Sequence, residues 1–196
     1  MTIISVETAE DAFEKIASTL STQRQMMNVV VEILDMTEHG YEVETVLFPK
    51  EALEAYTRYN MEETNFVDHT QFNLERGGPQ GDYRVGMRAK IEKVVLALKT
   101  KSNSKRAVLT IPFTDKCSLC VDLYDTDQWK CLREIYFSIG GDGRLHATGV
   151  MRSQALSIFP KNIHMIGTVM NTIAEQLGVP VGQYTHFCHF LVADRT

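Results

Sequence analysis

Apolar residues at Val6, Ala9, Phe13, Ile16, Ala17 and Leu20 recur at close to the period of an amphipathic helix, so residues 6–20 should lay one helical face on a core. Residues 26–34, with the β-branched run Val29-Val30-Val31, read as a strand, and 41–48, beyond a turn at Gly40, as the next. Pro49 suits the first position of a helix over 50–59, because a helix start has no use for the missing N–H. Residues 85–99 place Val85, Ile91, Val94, Val95 and Leu98 on one side, with Arg88, Lys90, Glu92, Lys93 and Lys99 mostly off it.

The second half is more strongly punctuated. Residues 107–111 read as a buried strand ended by Pro112. Residues 131–139 and 144–151 flank Gly140-Gly141-Asp142-Gly143, a hairpin signature. Ile163, Ile166, Met170, Ile173 and Leu177 mark a helix stopped by Gly178 and Pro180, and 184–192 form a last strand. The polar, glycine-rich stretch 64–82 is a loop long enough to suggest a functional role. With no repeat, low-complexity tract or linker, the expectation is one α+β domain spanning residues 1–196.

Composition narrows the function. The chain has 196 residues, enough for one full-sized core and not two. Its 20 Lys+Arg stand against 25 Asp+Glu, a net charge of -5. That balance disfavours a nucleic-acid polymer as partner, since such binding neutralises many phosphates, but a single nucleotide needs only a few focused cations. No apolar run reaches the roughly 20 residues of a membrane span, and the N-terminus lacks the basic and apolar regions of a signal peptide. Four irregularly spaced cysteines (Cys117, Cys120, Cys131, Cys188) do not form a disulfide framework, so free thiols in a reducing cytoplasm are expected.

The residues with most chemical promise surround the hairpin. Cys131 opens its first strand, Arg152-Ser153 follows the second, and Phe159-Pro160-Lys161-Asn162 leads into the long helix. A cation near a thiol raises the reactive thiolate fraction. Arg with Ser, backed by a helix N-terminus, grips a phosphate. Asn offers a donor and an acceptor, enough to read a nucleobase edge. Taken singly, each has a plainer reading as a buried thiol, a surface ion pair or a helix cap.

Taken in order, these motifs resemble the thymidylate synthase superfamily, and the compact archaeal-type members most. The matching stretches are Cys131-Leu132-Arg133, Asp142-Gly143-Arg144-Leu145, Met151-Arg152-Ser153 and Pro160-Lys161-Asn162. They continue through Leu177-Gly178 and Val181-Gly182 to His189, and upstream to Ser104-Lys105-Arg106. About 100 residues, from 85 to the end, are covered. The resemblance implies a mixed sheet packed with helices, one sheet face forming a homodimer interface. It implies transfer of a one-carbon unit to carbon 5 of a uridylate-type nucleotide (dUMP to dTMP), a reduced folate or related pterin in its 5,10-methylene form being the donor. Cys131 would be the nucleophile adding to carbon 6. Arg152 and Ser153 would hold the 5′-phosphate, joined by Lys105 and Arg106 from the second subunit and by Arg24. Asn162 would read the base and His189 would lie near the sugar.

Departures from the family pattern bear on that reading. Gln154-Ala155 follows the Arg-Ser, so Ala155 stands where the family carries a pterin-contacting Asp. Val150 and Leu191 replace tyrosines, the stretch to Asn162 is one residue short, and nothing after Thr196 corresponds to the family's closing tail. Glu51 and Glu54 do not align securely with the family's catalytic Glu. A pyrimidine hydroxymethylase and a non-catalytic or repurposed nucleotide-binding dimer are therefore weighed beside methylation. A Cys₂His₂ zinc site from Cys117, Cys120, His186 and His189 has the right spacing, but strand alternation would turn the two histidines to opposite faces. Gly77-Gly78-Pro79-Gln80-Gly81 lacks the Lys-Ser/Thr of a phosphate loop.

Overall fold

In the computed structural model all residues are described except 65–67, 69, 72, 74, 78–82, 112–129 and 195–196. The chain runs β1 (Thr2–Val6), α1 (Ala9–Leu20), β2 (Gln25–Ile33), α2 (Glu38–Tyr41), α3 (Lys50–Asn60), α4 (Met87–Thr100), β3 (Val108–Thr110), β4 (Leu132–Ile139), β5 (Leu145–Ala155), α5 (Phe159–Leu177) and β6 (Val181–Val192). The strands form a mixed six-stranded sheet in the order β1-β2-β6-β5-β4-β3. β1 runs parallel to β2 and β5 parallel to β6, and the other neighbours are antiparallel.

Two elements differ from the sequence expectation. The first helix starts at Ala9, because Thr8 builds a capping box: its hydroxyl accepts from the Asp11 N–H at 3.2 Å and Asp11 Oδ2 accepts from the Thr8 N–H at 2.9 Å. That stop frees Thr2–Val6 to pair as an edge strand. Residues 41–48, expected as a strand, form none. Tyr41 ends α2, and Thr45 closes a local turn, its N–H donating to the Phe48 carbonyl and its hydroxyl accepting from the Phe48 N–H, both at 3.0 Å. Val46 is fully exposed while Phe48 is buried, so the apolar spacing there serves a turn.

One sheet face carries the core. Val29, Val31 and Ile33 of β2, Tyr184 and Cys188 of β6, Leu145, Ala147 and Met151 of β5, and Leu132, Ile135 and Phe137 of β4 are all buried. α5 lies over them and is buried nearly all round for its first nine residues, because α3, α4 and α2 pack its far side. Fully buried Ile166, Met170 and Ile173 each contribute roughly 1.5–3 kcal/mol of transfer free energy. Gly149 lies beneath the Tyr184 phenol, where a Cβ would meet the hydroxyl. Gly178, at φ 68°, ends α5 in the left-handed conformation. On the opposite face Tyr136, Ser138, Thr148, Thr185 and Phe187 are half-buried or exposed.

Candidate active site

A line of irregularities crosses the sheet. On β5 the alternation of buried and half-buried positions breaks at Arg152-Ser153, and on β6 it breaks at His189-Phe190. Ser153 pairs with Phe190, and Phe190 with Met27, so the two breaks are in register. Beside them on β2, Asn28 has φ 53° and falls between the Met27–Phe190 and Val29–Cys188 pairs. On β4 the register shifts between Leu132 and Glu134. Bulges of this kind re-aim side chains and concentrate near sites. The consequence is concrete: Asn28 on β2, His189 on β6, Arg152 on β5 and Cys131, directly before β4, come level across the sheet.

Cys131 is half-buried and free, directly before β4, and its carbonyl accepts the Arg152 N–H at 2.8 Å. Arg152 and Ser153 are half-buried. His189 is also half-buried, and its Nδ1 lies 2.8 Å from Asn28 Oδ1. Since Oδ1 only accepts, Nδ1 carries the proton, and Nε2 is left to bond elsewhere. On the core side of the same row, burial pushes the Cys188 thiol up to about 12, with a smaller contribution from Cys131. Cys188 stays protonated and donates to the Phe190 carbonyl at 2.9 Å.

Sequence reasoning missed Tyr83. Its hydroxyl accepts from the Leu132 N–H at 3.3 Å, and its own N–H donates to Asn60 Oδ1 at 2.7 Å. Burial drives its pKa upward, Cys131 adds to that, and Arg152 opposes it. The phenol is therefore neutral and within electrostatic reach of both. A lone Tyr between a glycine-rich stretch and a helix carries no periodic mark, so sequence pattern alone could not single it out.

Asn162 is brought close but enclosed. At 3% exposure on α5, its Nδ2 donates to Gln154 Oε1 at 2.9 Å and its Oδ1 accepts from the Tyr56 hydroxyl at 3.4 Å. Gln154, itself buried, donates Nε2 to the Ala155 carbonyl at 2.6 Å. Neither Gln154 nor Tyr56 was expected at the site. Next to Asn162, the buried Lys161 places its ammonium 4.7 Å from the Tyr56 ring centroid and donates to the Arg76 carbonyl at 3.1 Å. This bond ties Arg76 to α5.

The remaining cations lie apart. Arg24 precedes β2 and is exposed, its carbonyl accepting from Ala193 N–H at 3.2 Å. Lys105 and Arg106 are exposed in the turn before β3, beside a cleft shared with Tyr136, Ser138 and His146. That cleft is at the Phe137 end of β4, about 20 Å from Cys131 at strand rise. Within one chain Lys105 and Arg106 do not meet the row.

Cys117 and Cys120 lie outside the described residues, as does most of Gly77–Gly81, from Gly78 onward. His186 is buried against Tyr184 and Phe159, whereas His189 faces Asn28. No group of three His, Cys, Asp or Glu able to hold a metal ion occurs among the described residues. No helix among them is long and apolar enough to cross a membrane.

No family model matches the chain. A protein of Methanocaldococcus jannaschii described as "Putative thymidylate synthase" is 28% identical over 167 residues, covering 83% of this chain and 72% of that protein. The thermostable thymidylate synthase A of Bacillus subtilis has a similar fold, with a TM-score of 0.65 over 94% of this chain and 79% of that one at 12% identity.

Proposed function

From its homology in sequence and fold to thymidylate synthase family members, we propose that this chain transfers a one-carbon unit to carbon 5 of a uridylate-type pyrimidine nucleotide. The observation that carries the reading is the row across the sheet. It sets a half-buried thiol, Cys131, level with Arg152 and His189, with Ser153 adjacent.

In the proposed reaction the Cys131 thiolate adds to carbon 6 and a C–S bond forms. The electron pair of the 5,6 double bond moves onto carbon 5 and the 4-carbonyl oxygen, making carbon 5 nucleophilic. Arg152 and Ser153 hold the 5′-phosphate and fix the ring over the sulfur, which converts a bimolecular addition into an intramolecular one. His189 offers its Nε2 to a sugar hydroxyl. For exchange, carbon 5 of this enolate takes up a proton from solvent. Its original hydrogen then leaves as a proton by way of Tyr83, a neutral phenol beside Cys131, and elimination of the thiolate restores the 5,6 double bond.

A pterin donor meets a poor donor set here. Ala155, where the resemblance expects a carboxylate, is 5% exposed and its carbonyl is taken by Gln154. The described residues do not fit a pterin at that point, and exchange of the carbon-5 hydrogen is as far as this chain's own residues carry the reaction.

A dimer joined through the uncovered sheet face would bring Lys105 and Arg106 to a partner's phosphate, since within one chain they lie far from the row. The test of the whole reading is release of tritium from carbon 5 of labelled deoxyuridylate. Release requires addition at carbon 6 and does not require the one-carbon donor. Exchange by the parent and none by Cys131→Ser is expected; equal exchange by both sinks the mechanism.

A further inference from the structure

Asn162 is by itself an ambiguous base reader. Its carboxamide can present oxygen to the uracil N3–H and nitrogen to O4, or, turned over, nitrogen to the cytosine N3 and oxygen to its amino group. Swapping the two ends changes no shape. A site that relies on a free Asn therefore discriminates poorly.

Here the amide is not free. We propose that Gln154 is a specificity-determining positioning residue, which locks Asn162 in one of its two orientations and so commits the site to one pyrimidine edge. The argument starts from the main chain. The Ala155 carbonyl can only accept, so the Gln154 amide must turn its nitrogen to it, at 2.6 Å. The other end of the Gln154 side chain is then an oxygen, and it faces Asn162 at 2.9 Å. Only the Asn162 nitrogen can satisfy that oxygen. The Asn162 oxygen is thereby turned to Tyr56, whose hydroxyl can donate to it, at 3.4 Å.

The chain of bonds thus runs one way, from a group that cannot be reversed. Turning Asn162 over would set two carbonyl oxygens against each other at Gln154, which is 1% exposed and so shielded from bulk solvent. A buried mismatch of that kind lowers the population of the wrong orientation by about 5- to 150-fold. After these bonds Asn162 keeps one N–H and one lone pair, the complement a pyrimidine edge needs. Gln154 follows Arg152-Ser153 directly on β5, so the stretch of strand that would hold the phosphate also carries the orienting amide.

The inference rests on the proposed nucleotide reading, with the uracil edge as the one selected. It is tested by calorimetric titration of the full chain with deoxyuridylate and deoxycytidylate. The parent should prefer deoxyuridylate. Gln154→Met, close in volume but without a carbonyl, should reduce that preference by about 5- to 150-fold while total affinity for the better nucleotide falls less. Gln154→Glu, protonated at this depth so that its hydroxyl donates to the Ala155 carbonyl, keeps an oxygen toward the Asn162 nitrogen and should hold the preference within severalfold. Because a buried change can unfold the chain, melting midpoints are recorded, and trans-hydrogen-bond coupling from Asn162 Nδ2 to the Gln154 carbonyl is sought in the parent. An unchanged preference in a folded Met variant, or no such coupling, overturns the inference alone. Failure of the parent to bind either nucleotide overturns the functional reading and the inference with it.

Discussion

The Arg152 N–H donates to the Cys131 carbonyl at 2.8 Å, so Cys131, directly before β4, and Arg152 on β5 are held side by side. If Cys131 is the nucleophile, Cys131→Ser should reduce carbon-5 exchange to the background, while deoxyuridylate binding changes by less than about tenfold, because the phosphate grip is untouched. Cys188→Ser should keep exchange within severalfold, since that thiol is buried, protonated and bonded to Phe190. Loss of exchange in the Cys188 variant alone would reassign the nucleophile.

Tyr83 offers a sharper separation of structure from chemistry. Tyr83→Phe removes the acceptor of the Leu132 N–H, which at this depth should cost about 1–2 kcal/mol in urea unfolding. If the phenol also relays the carbon-5 proton, exchange should fall by about 10²-fold or more with nucleotide affinity held. A variant with the stability loss but parental exchange would leave Tyr83 a structural residue only.

How legible this was differs by level. The 3.6-residue pattern of α5 and the hairpin at Gly140–Gly143 were readable because their residues sit where local rules and burial agree. Residues 41–48 misled because a Thr45 turn satisfies the backbone locally and leaves Val46 in solvent. The break across the sheet was not readable. Asn28, at φ 53°, precedes an unbroken valine run, and only pairing with β6 shows that it is stepped over. The Gln154–Asn162 bond was hidden for a related reason: strand parity would turn Gln154 away from the core, and the break at Arg152-Ser153 turns it back.

A buried histidine makes stability pH-dependent. Burial lowers the His186 pKa from 6.5 to about 4, and its Nε2 has no hydrogen-bond partner among the described residues. The unfolded chain therefore binds a proton more readily than the folded one. The contribution is fully present above pH 6.5 and is lost as pH falls from there towards about 4, amounting to roughly 3 kcal/mol in all. Burial lowers His164 too, which adds to the same slope. Urea unfolding between pH 7.5 and about 4.5 should show this decline, and His186→Phe should flatten it by about 1.4 kcal/mol per pH unit. A parental slope in that variant would mean that His186 is not the group titrating.

Glu62 joins two elements near Tyr83. Its carboxylate accepts from the Gly86 N–H at 3.1 Å and the Arg88 N–H at 3.0 Å, capping α4 where Gly86 has no side chain to do so. Glu62→Ala should lower stability by about 1–2 kcal/mol, read as a lower urea midpoint at constant m-value. No change in midpoint would show that solvent caps the helix equally well.

The last expectation concerns the second copy. Lys105 and Arg106 lie about 20 Å along β4 from Cys131, beyond the reach of an extended side chain. If a partner supplies them, the site contains Cys131 from one chain and Arg106 from the other. Arg106→Ala and Cys131→Ser should then each be inactive as pure dimers, the first for want of the phosphate grip and the second for want of the thiol. Mixed and allowed to exchange subunits in equal amounts, half of the dimers carry one of each. In those dimers one of the two sites combines a native Cys131 with a native Arg106, and the other has lost both. Carbon-5 exchange should therefore return to about a quarter of the parental value per site. Cross-linking before mixing should prevent the recovery. Recovery to nothing, with dimers shown by light scattering, would place both residues in the same chain's site or outside it altogether.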